Sequence, residues 1–494
     1  MVLLVGCGLT MLNLFLYEHD FASRCLLYLG EKALLVHDGK PPRLENMGFS
    51  SPPFPHFFVL LANNPFVATA FVGGMMITVA MLSLYRGLTK RYISLPLFSV
   101  LLCYLLLSPL SLFLFAQQLP DGILMGLLLL SYYHLFKYSE QEISYDLFLF
   151  GLLSAFLFLT KFQAVAVVPM FGIVLAAKYG RRHPLKGLAV LLTSLFPVIF
   201  ISLSWCYLNW VFLGDPLYFL THWNALTDTT SSISSLDLQP RDLEAGIKAT
   251  IHFFTQNMPI LLPYVLTGIW IFAPQDRPKK DMALPVFLTP MVFLLAHYMT
   301  TSTAMNQDLL LLFVATAVSI RIYCREQMGD SLFKGIFTLT MAISLVMSFW
   351  LPCSHNGSEE QLFCQVLTGE RKHGNLTPYR RLLDRIRSQD HILMDDTSNY
   401  PLVFMTQEPK KFILPYEYEF EMILAAPQHF VRYIIVSDTS SQDRILGRYP
   451  LASVGIVPDF SLIGQFGNMY LYEASIQKGH GLHNTRLHEY MASK

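Results

Sequence analysis

MVLLVGCGLTMLNLFLYEHDF, residues 1–21, is an apolar run of helical length that ends abruptly in three ionisable side chains, Glu18, His19 and Asp20. A membrane-crossing helix needs about 20 predominantly apolar residues, and the same pattern recurs downstream. Apolar runs at 2–16, 56–85, 93–115, 121–136, 145–160, 162–178, 187–213, 259–273, 283–299, 306–320 and 332–350 give eleven candidate spans, separated mostly by short polar loops. Several fall short of an untilted crossing, and the cuts among 121–136, 145–160 and 162–178 can be drawn differently. The composition agrees: of 494 residues, 53% are hydrophobic and only 14% charged, unlike an ordinary soluble domain. Residues 2–16 have no basic segment before them and no small-residue cleavage site before Glu18, so they read as a retained first helix rather than a signal peptide.

Basic residues orient the chain. Arg86, Lys90 and Arg91 share one loop; Lys178, Arg181, Arg182 and Lys186 share another; Arg277, Lys279 and Lys280 form a third set, and Arg321, Arg325 and Lys334 a fourth. Eleven spans with a cytoplasmic N-terminus put all four sets on the cytoplasmic side, as the positive-inside bias requires. The outer face then receives 17–55, 116–120, 214–258 and everything beyond residue 350. In 17–55, Phe21, Leu26, Leu27, Leu29 and Leu34 alternate with Arg24, Glu31 and Lys32, which suits a helix lying along the interface or an ordinary packed loop helix.

Beyond Trp350 the composition changes. Arg380–Ser388 reads as a basic amphipathic helix, and HILM (391–394), PLVFM (401–405), KFIL (411–414), YIIV (433–436) and NMYLY (468–472) read as strands, so 351–494 is expected to be an extracytoplasmic α/β domain. It has no glycine-rich phosphate loop. The expected organisation is a transmembrane domain over 1–350, with outer loops 17–55 and 214–258, followed by this domain. Cys353 and Cys364 are both outside and can form a disulfide; no cysteine spacing suits a metal cluster. Zero formal net charge gives no basis for nucleic acid as a partner. Asn356 and Asn375 stand in glycosylation sequons, a short pattern that matters only in a host that uses it.

Charges at membrane depth are costly unless used. Asp20 follows the first span, and Asp121 opens the fourth on the same side. Two carboxylates at helix ends and at one depth can form a reaction centre, one acting as general base and the other orienting the acceptor or holding a metal; either can also simply reach water. Glu18 is a weaker candidate and Glu45 weaker still. Lys161 interrupts FLFLTKFQAVAVVPM (156–170) near the outer face, where a cation either snorkels or meets a lipid-linked phosphate. GDPLYFLTHWN (214–224) leaves the seventh span through a turn; Tyr218 is an interfacial anchor or lines the cleft, and His222 and Asn224 are cleft candidates with His19.

Taken together, Glu18-His19-Asp20, SPPFPHFF (51–58), Asp121, LTK (159–161) and GDPLYF (214–219) resemble the polytopic GT-C glycosyltransferases, especially the bacterial branch related to lipid A aminoarabinose transferases (ArnT), protein O-mannosyltransferases and the RgtA/B/C/D-like domain. The resemblance covers about residues 1–350. It implies transfer of a sugar from a polyprenyl-phosphate donor to a glycan, lipid or protein acceptor of the envelope, on the outer face of the cytoplasmic membrane. The catalytic acid of the first outer loop maps to Asp20, the second-loop acid to Asp121, and the donor-phosphate contact to Lys161. The motif is Glu-His-Asp where the family commonly has adjacent Asp-Glu, which leaves Glu18 as a rival to Asp20. The resemblance implies no nucleotide; a divalent cation stays open, since metal use varies in the family. Two other readings remain: a lipid-linked glycan transporter, disfavoured because the acids sit at one face and no internal repeat is found, and a non-catalytic assembly protein that docks envelope partners through Asp395, Asp396 and YEYEFE (416–421).

Overall fold

The computed structural model describes residues 1–49, 51–89, 93–181, 183–221, 243–273, 280–300, 308–324, 331–354, 359–371, 374–438 and 443–475. The chain forms two compact units, Met1–Thr377 and Pro378–Lys494.

The first unit is all helix: α1 (Val2–Glu18), α2 (Arg24–Asp38), α3 (Pro53–Ala62), α4 (Pro65–Thr89), α5 (Leu95–Leu107), α6 (Pro109–Gln117), α7 (Leu119–Gln141), α8 (Ser144–Thr160), α9 (Ala164–Gly180), α10 (Pro184–Leu213), the short α11 (Tyr218–Thr221), α12 (Leu243–Phe272), α13 (Lys280–Thr300), α14 (Asp308–Tyr323), α15 (Ser331–Ser354) and α16 (Glu359–Thr368). It is a multi-span helical membrane protein, but the expected eleven spans are too many by length and composition. Among the described residues four helices qualify, within α4, α7, α10 and α15, or five if the bent pair α5–α6 counts as one; the other apolar helices are shorter.

Two expected spans are broken, each at a proline. The run 56–85 divides into α3 and α4 at Asn63, whose φ of 50° stops α3. Asn64 then accepts hydrogen bonds from the Phe66 and Val67 amides (2.9 and 3.2 Å) and starts α4 just before Pro65. The run 93–115 bends by 49° at Ser108, where Pro109 removes an amide and holds the preceding residue extended (φ −62°, ψ 127°). Residues 243–258, expected in an outer loop, belong to α12.

Small residues allow the closest crossings. A Cβ at Gly74 of α4 would lie 2.9 Å from the Gly6 amide nitrogen of α1, so the two backbones meet as small-residue helix pairs do in membranes. Helix α2 forms where expected, capped by Ser23 and packed through Leu26, Leu27, Leu29, Ala33 and Leu35.

The second unit holds α17 (Thr377–Ile386, which begins on the last residue of the first unit), α18 (Asp396–Thr406), α19 (Phe420–Ala425), α20 (Arg444–Arg448) and a five-stranded sheet in the order β2-β1-β3-β5-β4. Strand β1 (Ile392–Met394) pairs in parallel with β2 (Phe412–Ile413) and β3 (Tyr433–Ser437); β5 (Met469–Ala474) runs antiparallel to both β3 and β4 (Phe460–Phe466). The expected helix at 380–388 and four of the five expected strands are present. PLVFM is instead the second half of α18, because Asp395 caps the Thr397 amide (2.8 Å) and starts a helix at once. β4 was not expected: only its first residue, Phe460, is buried, and Ser461, Leu462 and Ile463 are all exposed, so no buried apolar run marks it.

Candidate active site

At the end of α1 the chain turns through His19 and Asp20, and Asp20 adopts a left-handed φ of 61°. Asp tolerates this conformation better than most residues, yet it is uncommon away from glycine. The turn is held by a distant segment. The Gly374 amide donates to the His19 carbonyl (3.0 Å) and the Leu376 amide to the Asp20 carbonyl (2.8 Å). The Asn375 amide group pairs both ways with the Ala22 backbone (2.8 and 3.3 Å), which leaves that sequon asparagine engaged; Asn356 lies outside the described residues. The Thr377 hydroxyl donates to Asp20 Oδ2 at 2.9 Å. One turn away, Glu359 accepts from the Arg24 amide (3.1 Å) and lies 3.4 Å from its Nε. Burial pushes the Glu359 carboxyl up to about 7, against the pull of Arg24. Phe363 packs on Phe21 and Phe113, with ring centroids 6.0 and 5.3 Å apart. Residues 359–371 and 374–377 thus strap the acidic turn.

The strap also separates the three ionisable residues. Asp20 is buried, at 7% exposure; His19 is half-buried, its Nδ1 2.8 Å from the Phe15 carbonyl; Glu18 is exposed.

A buried polar contact links this turn to the second acid. Gln117, the last residue of α6, accepts from the Ser23 amide (2.8 Å), donates to Asn13 (2.9 Å), and takes the Ser23 hydroxyl on its carbonyl (2.6 Å). Asp20 lies three residues before Ser23, and Asp121 four residues after Gln117, so both acids flank one contact at one end of the bundle. Asp121 sits in the first turn of α7, buried, where the helix dipole favours its charge. It forms an ion pair with Lys161, the residue that ends α8. The lone cation of the sequence reading is therefore the partner of the second carboxylate.

Around Lys161, an aromatic floor joins three segments at this end of the bundle. Phe162 packs against Phe219 of α11 at 4.7 Å, and Phe49 stacks on Trp205 and Phe212 at 5.3 and 5.1 Å. Tyr218 is half-buried beside this floor. Glu45 is drawn to Arg43 (3.2 Å), not to either acid. His222 and Asn224 lie outside the described residues, and so does the side chain of Cys353.

Sequence reasoning missed a second polar group on the same side. His56, in the proline-rich segment, is buried, with its Nε2 2.8 Å from the Ser51 hydroxyl. Glu31 is fully buried, with Lys32 Nζ 3.2 Å from it. An ionisable residue on the apolar face of α2 was the available signal. No group of three or more His, Cys, Asp or Glu able to hold a metal occurs among the described residues.

The other end of the bundle is basic. Thirteen to sixteen residues beyond Asp121, about 20 Å or more along α7, His134 and Lys137 hold Asp146 at 2.9 and 3.0 Å, and Lys186 pairs with Glu142 at 2.6 Å. A cavity of about 490 Å³ opens toward Arg86 on this side, lined by Leu101, Tyr104, Met125, Leu129, Val314 and Tyr323 among others. None of the predicted site residues lines it.

Residues 52–205 match the family model described as dolichyl-phosphate-mannose-protein mannosyltransferase. Over almost its whole length the chain superposes on the crystal structure of ArnT from Cupriavidus metallidurans bound to undecaprenyl phosphate, with a TM-score of 0.56 at 13% identity, covering 97% of this chain and 98% of that one. The fold is that of this ArnT structure. The apo structure of the same ArnT gives a TM-score of 0.52 at 12% identity, covering 95% and 97% of the two chains. No curated protein matches by sequence. The match to ArnT covers 97% of this chain and so takes in both units.

Proposed function

We propose that this chain is a glycosyltransferase that moves a sugar from a polyprenyl-phosphate carrier to an envelope acceptor at the outer face of the cytoplasmic membrane, with Asp20 as general base. The observation that carries this reading is the buried, left-handed Asp20 strapped by Thr377 at the same end of the bundle as the Asp121–Lys161 pair. Support for the donor class comes from the family model, named for a dolichyl-phosphate substrate, and from undecaprenyl phosphate bound to the structural relative.

In the proposed reaction the acceptor hydroxyl or amine gives its proton to Asp20 and attacks the anomeric carbon. The bond from that carbon to the phosphate oxygen breaks, inverting the centre, and the carrier leaves as polyprenyl phosphate. Lys161 meets the phosphate as charge develops on it, and Asp121 holds Lys161 in place beforehand. Arg86, Lys178, Lys186, Arg321 and Lys334 cluster at helix ends away from Asp20, which supports a cytoplasmic N-terminus and an outer acidic end. Division of the chain into a catalytic membrane domain and an outer α/β domain belongs to the same proposal.

The test is transfer of labelled sugar from a panel of polyprenyl-phosphate sugars to cell-envelope acceptors, by purified protein in lipid. Turnover with one donor that is lost in Asp20→Asn, with the variant still folded, is the expected result. Absence of both turnover and donor binding across the panel overturns it in favour of a non-catalytic assembly role.

A further inference from the structure

Arg321 is buried to 3% exposure in the last turn of α14, and its Nε and Nη1 make no hydrogen bond among the described residues. An unpaired guanidinium in a protein interior is costly, and such a charge is normally matched. It lines a cavity of about 340 Å³ with Lys334 and Thr338 of α15, Ser94, and the apolar side chains of Leu88 and Leu97. No acidic side chain among these lining residues offsets the two cations.

The helix ends around the cavity add to the same field. Leu95 opens α5, a helix of 13 residues whose N-cap Ser94 makes no side-chain hydrogen bond to it; Pro96 has no amide proton and the Phe98 amide bonds the Ser94 carbonyl, which leaves the Leu95 and Leu97 amides to face a ligand. Ser331 opens α15, which has 24 residues. Amides and dipoles at such N-termini favour anions. Two cations and the uncapped start of α5, lining one cavity with Leu88 and Leu97, match an amphiphile carrying a phosphate.

We infer that Arg321, Lys334 and the start of α5 form a binding site for the phosphate of an anionic membrane lipid, at the end of the bundle away from Asp20. The lipid's phosphate pairs with the guanidinium and ammonium, and its chains lie along the leucine walls. This site is independent of the transferase reading and stands whether or not sugar transfer is found.

The experiment measures thermal unfolding of the full chain in vesicles of phosphatidylglycerol and of phosphatidylcholine, with native mass spectrometry of co-purified lipid. Wild type is expected to melt several degrees higher in phosphatidylglycerol and to retain an anionic phospholipid. Arg321→Met is expected to lose that difference and the retained lipid while melting no lower than wild type in phosphatidylcholine, because it removes an uncompensated charge. Lys334→Gln, at the exposed rim, is expected to reduce the difference. Equal melting of wild type in the two vesicles, or a lipid effect that survives in Arg321→Met, overturns the assignment. Lower melting of Arg321→Met in phosphatidylcholine also overturns it, marking Arg321 as a structural group. Inorganic phosphate in detergent separates the sources: if it stabilises wild type as much as the anionic lipid does, the occupant is a soluble phosphate and the lipid assignment fails.

Discussion

Replacing Gly374 by alanine tests whether the strap sets the position of Asp20. The new Cβ would fall 2.3 Å from the Asp20 carbonyl oxygen, 2.7 Å from its carbon and 2.9 Å from Phe21 Cα. All three are backbone atoms, so no side chain can swing away. Reaching a normal contact near ~3.5 Å opens the strap by about 1 Å and stretches the Gly374–His19 and Leu376–Asp20 hydrogen bonds. Strained packing of this kind costs about 1–3 kcal/mol, and each hydrogen bond contributes about 1 kcal/mol, so a loss of about 3 kcal/mol is expected. A displacement of about 1 Å at a catalytic group can reduce turnover about 100-fold. Thermal unfolding in lipid and labelled-sugar transfer read the two effects separately. Gly335→Ala, in α15 with nothing within 4 Å of the new Cβ, serves as the control and should be neutral or slightly stabilising. A Gly374→Ala protein with the melting point and turnover of wild type would refute the idea that the strap holds the acid.

Burial distinguishes the two first-loop acids: Asp20→Asn should abolish transfer, while Glu18→Gln, at an exposed position, should stay within about twofold of wild type by the same assay, and equal loss in both would reject the assignment of the base. Lys161→Met should destabilise by about 3–5 kcal/mol because it leaves Asp121 buried without its ion-pair partner, and adding Asp121→Asn should restore much of that in a thermal-unfolding cycle; strictly additive losses would disprove the coupling. In the second unit, burial and the nearby Asp395 push the Asp443 carboxyl up to about 7. Its folded value lies above the unfolded one, so its contribution to stability is full below about pH 4 and is lost as pH rises through 7. Asp443→Asn keeps the cap on the Ile445 and Leu446 amides and should flatten this part of the stability–pH curve of the full chain; an unchanged slope would show that another group titrates.

The helical membrane class and most helix positions were legible in the sequence because hydropathy is a local property: each run of apolar side chains must leave water whatever its neighbours do. Helix breaks were less legible, although Pro65 and Pro109 stood in plain view, because a proline can end a helix or merely bend it, and packing selects the outcome. The number of full crossings was overestimated for the same reason, since apolar runs that pack inside a bundle look like runs that face lipid. Of the candidate site, Asp20, Asp121 and Lys161 were readable as charges placed where charge is costly. Their partners were not. Lys161 meets Asp121 only because α7 and α8 run antiparallel, and Thr377 reaches Asp20 from more than 350 residues away. The choice between Glu18 and Asp20 was likewise invisible locally, since only the strap buries one and leaves the other exposed. The sequence by itself determined which segments must avoid water and where charge is too expensive to be idle; the tertiary structure alone decided which charges face one another, because pairing depends on distances that the one-dimensional pattern does not contain.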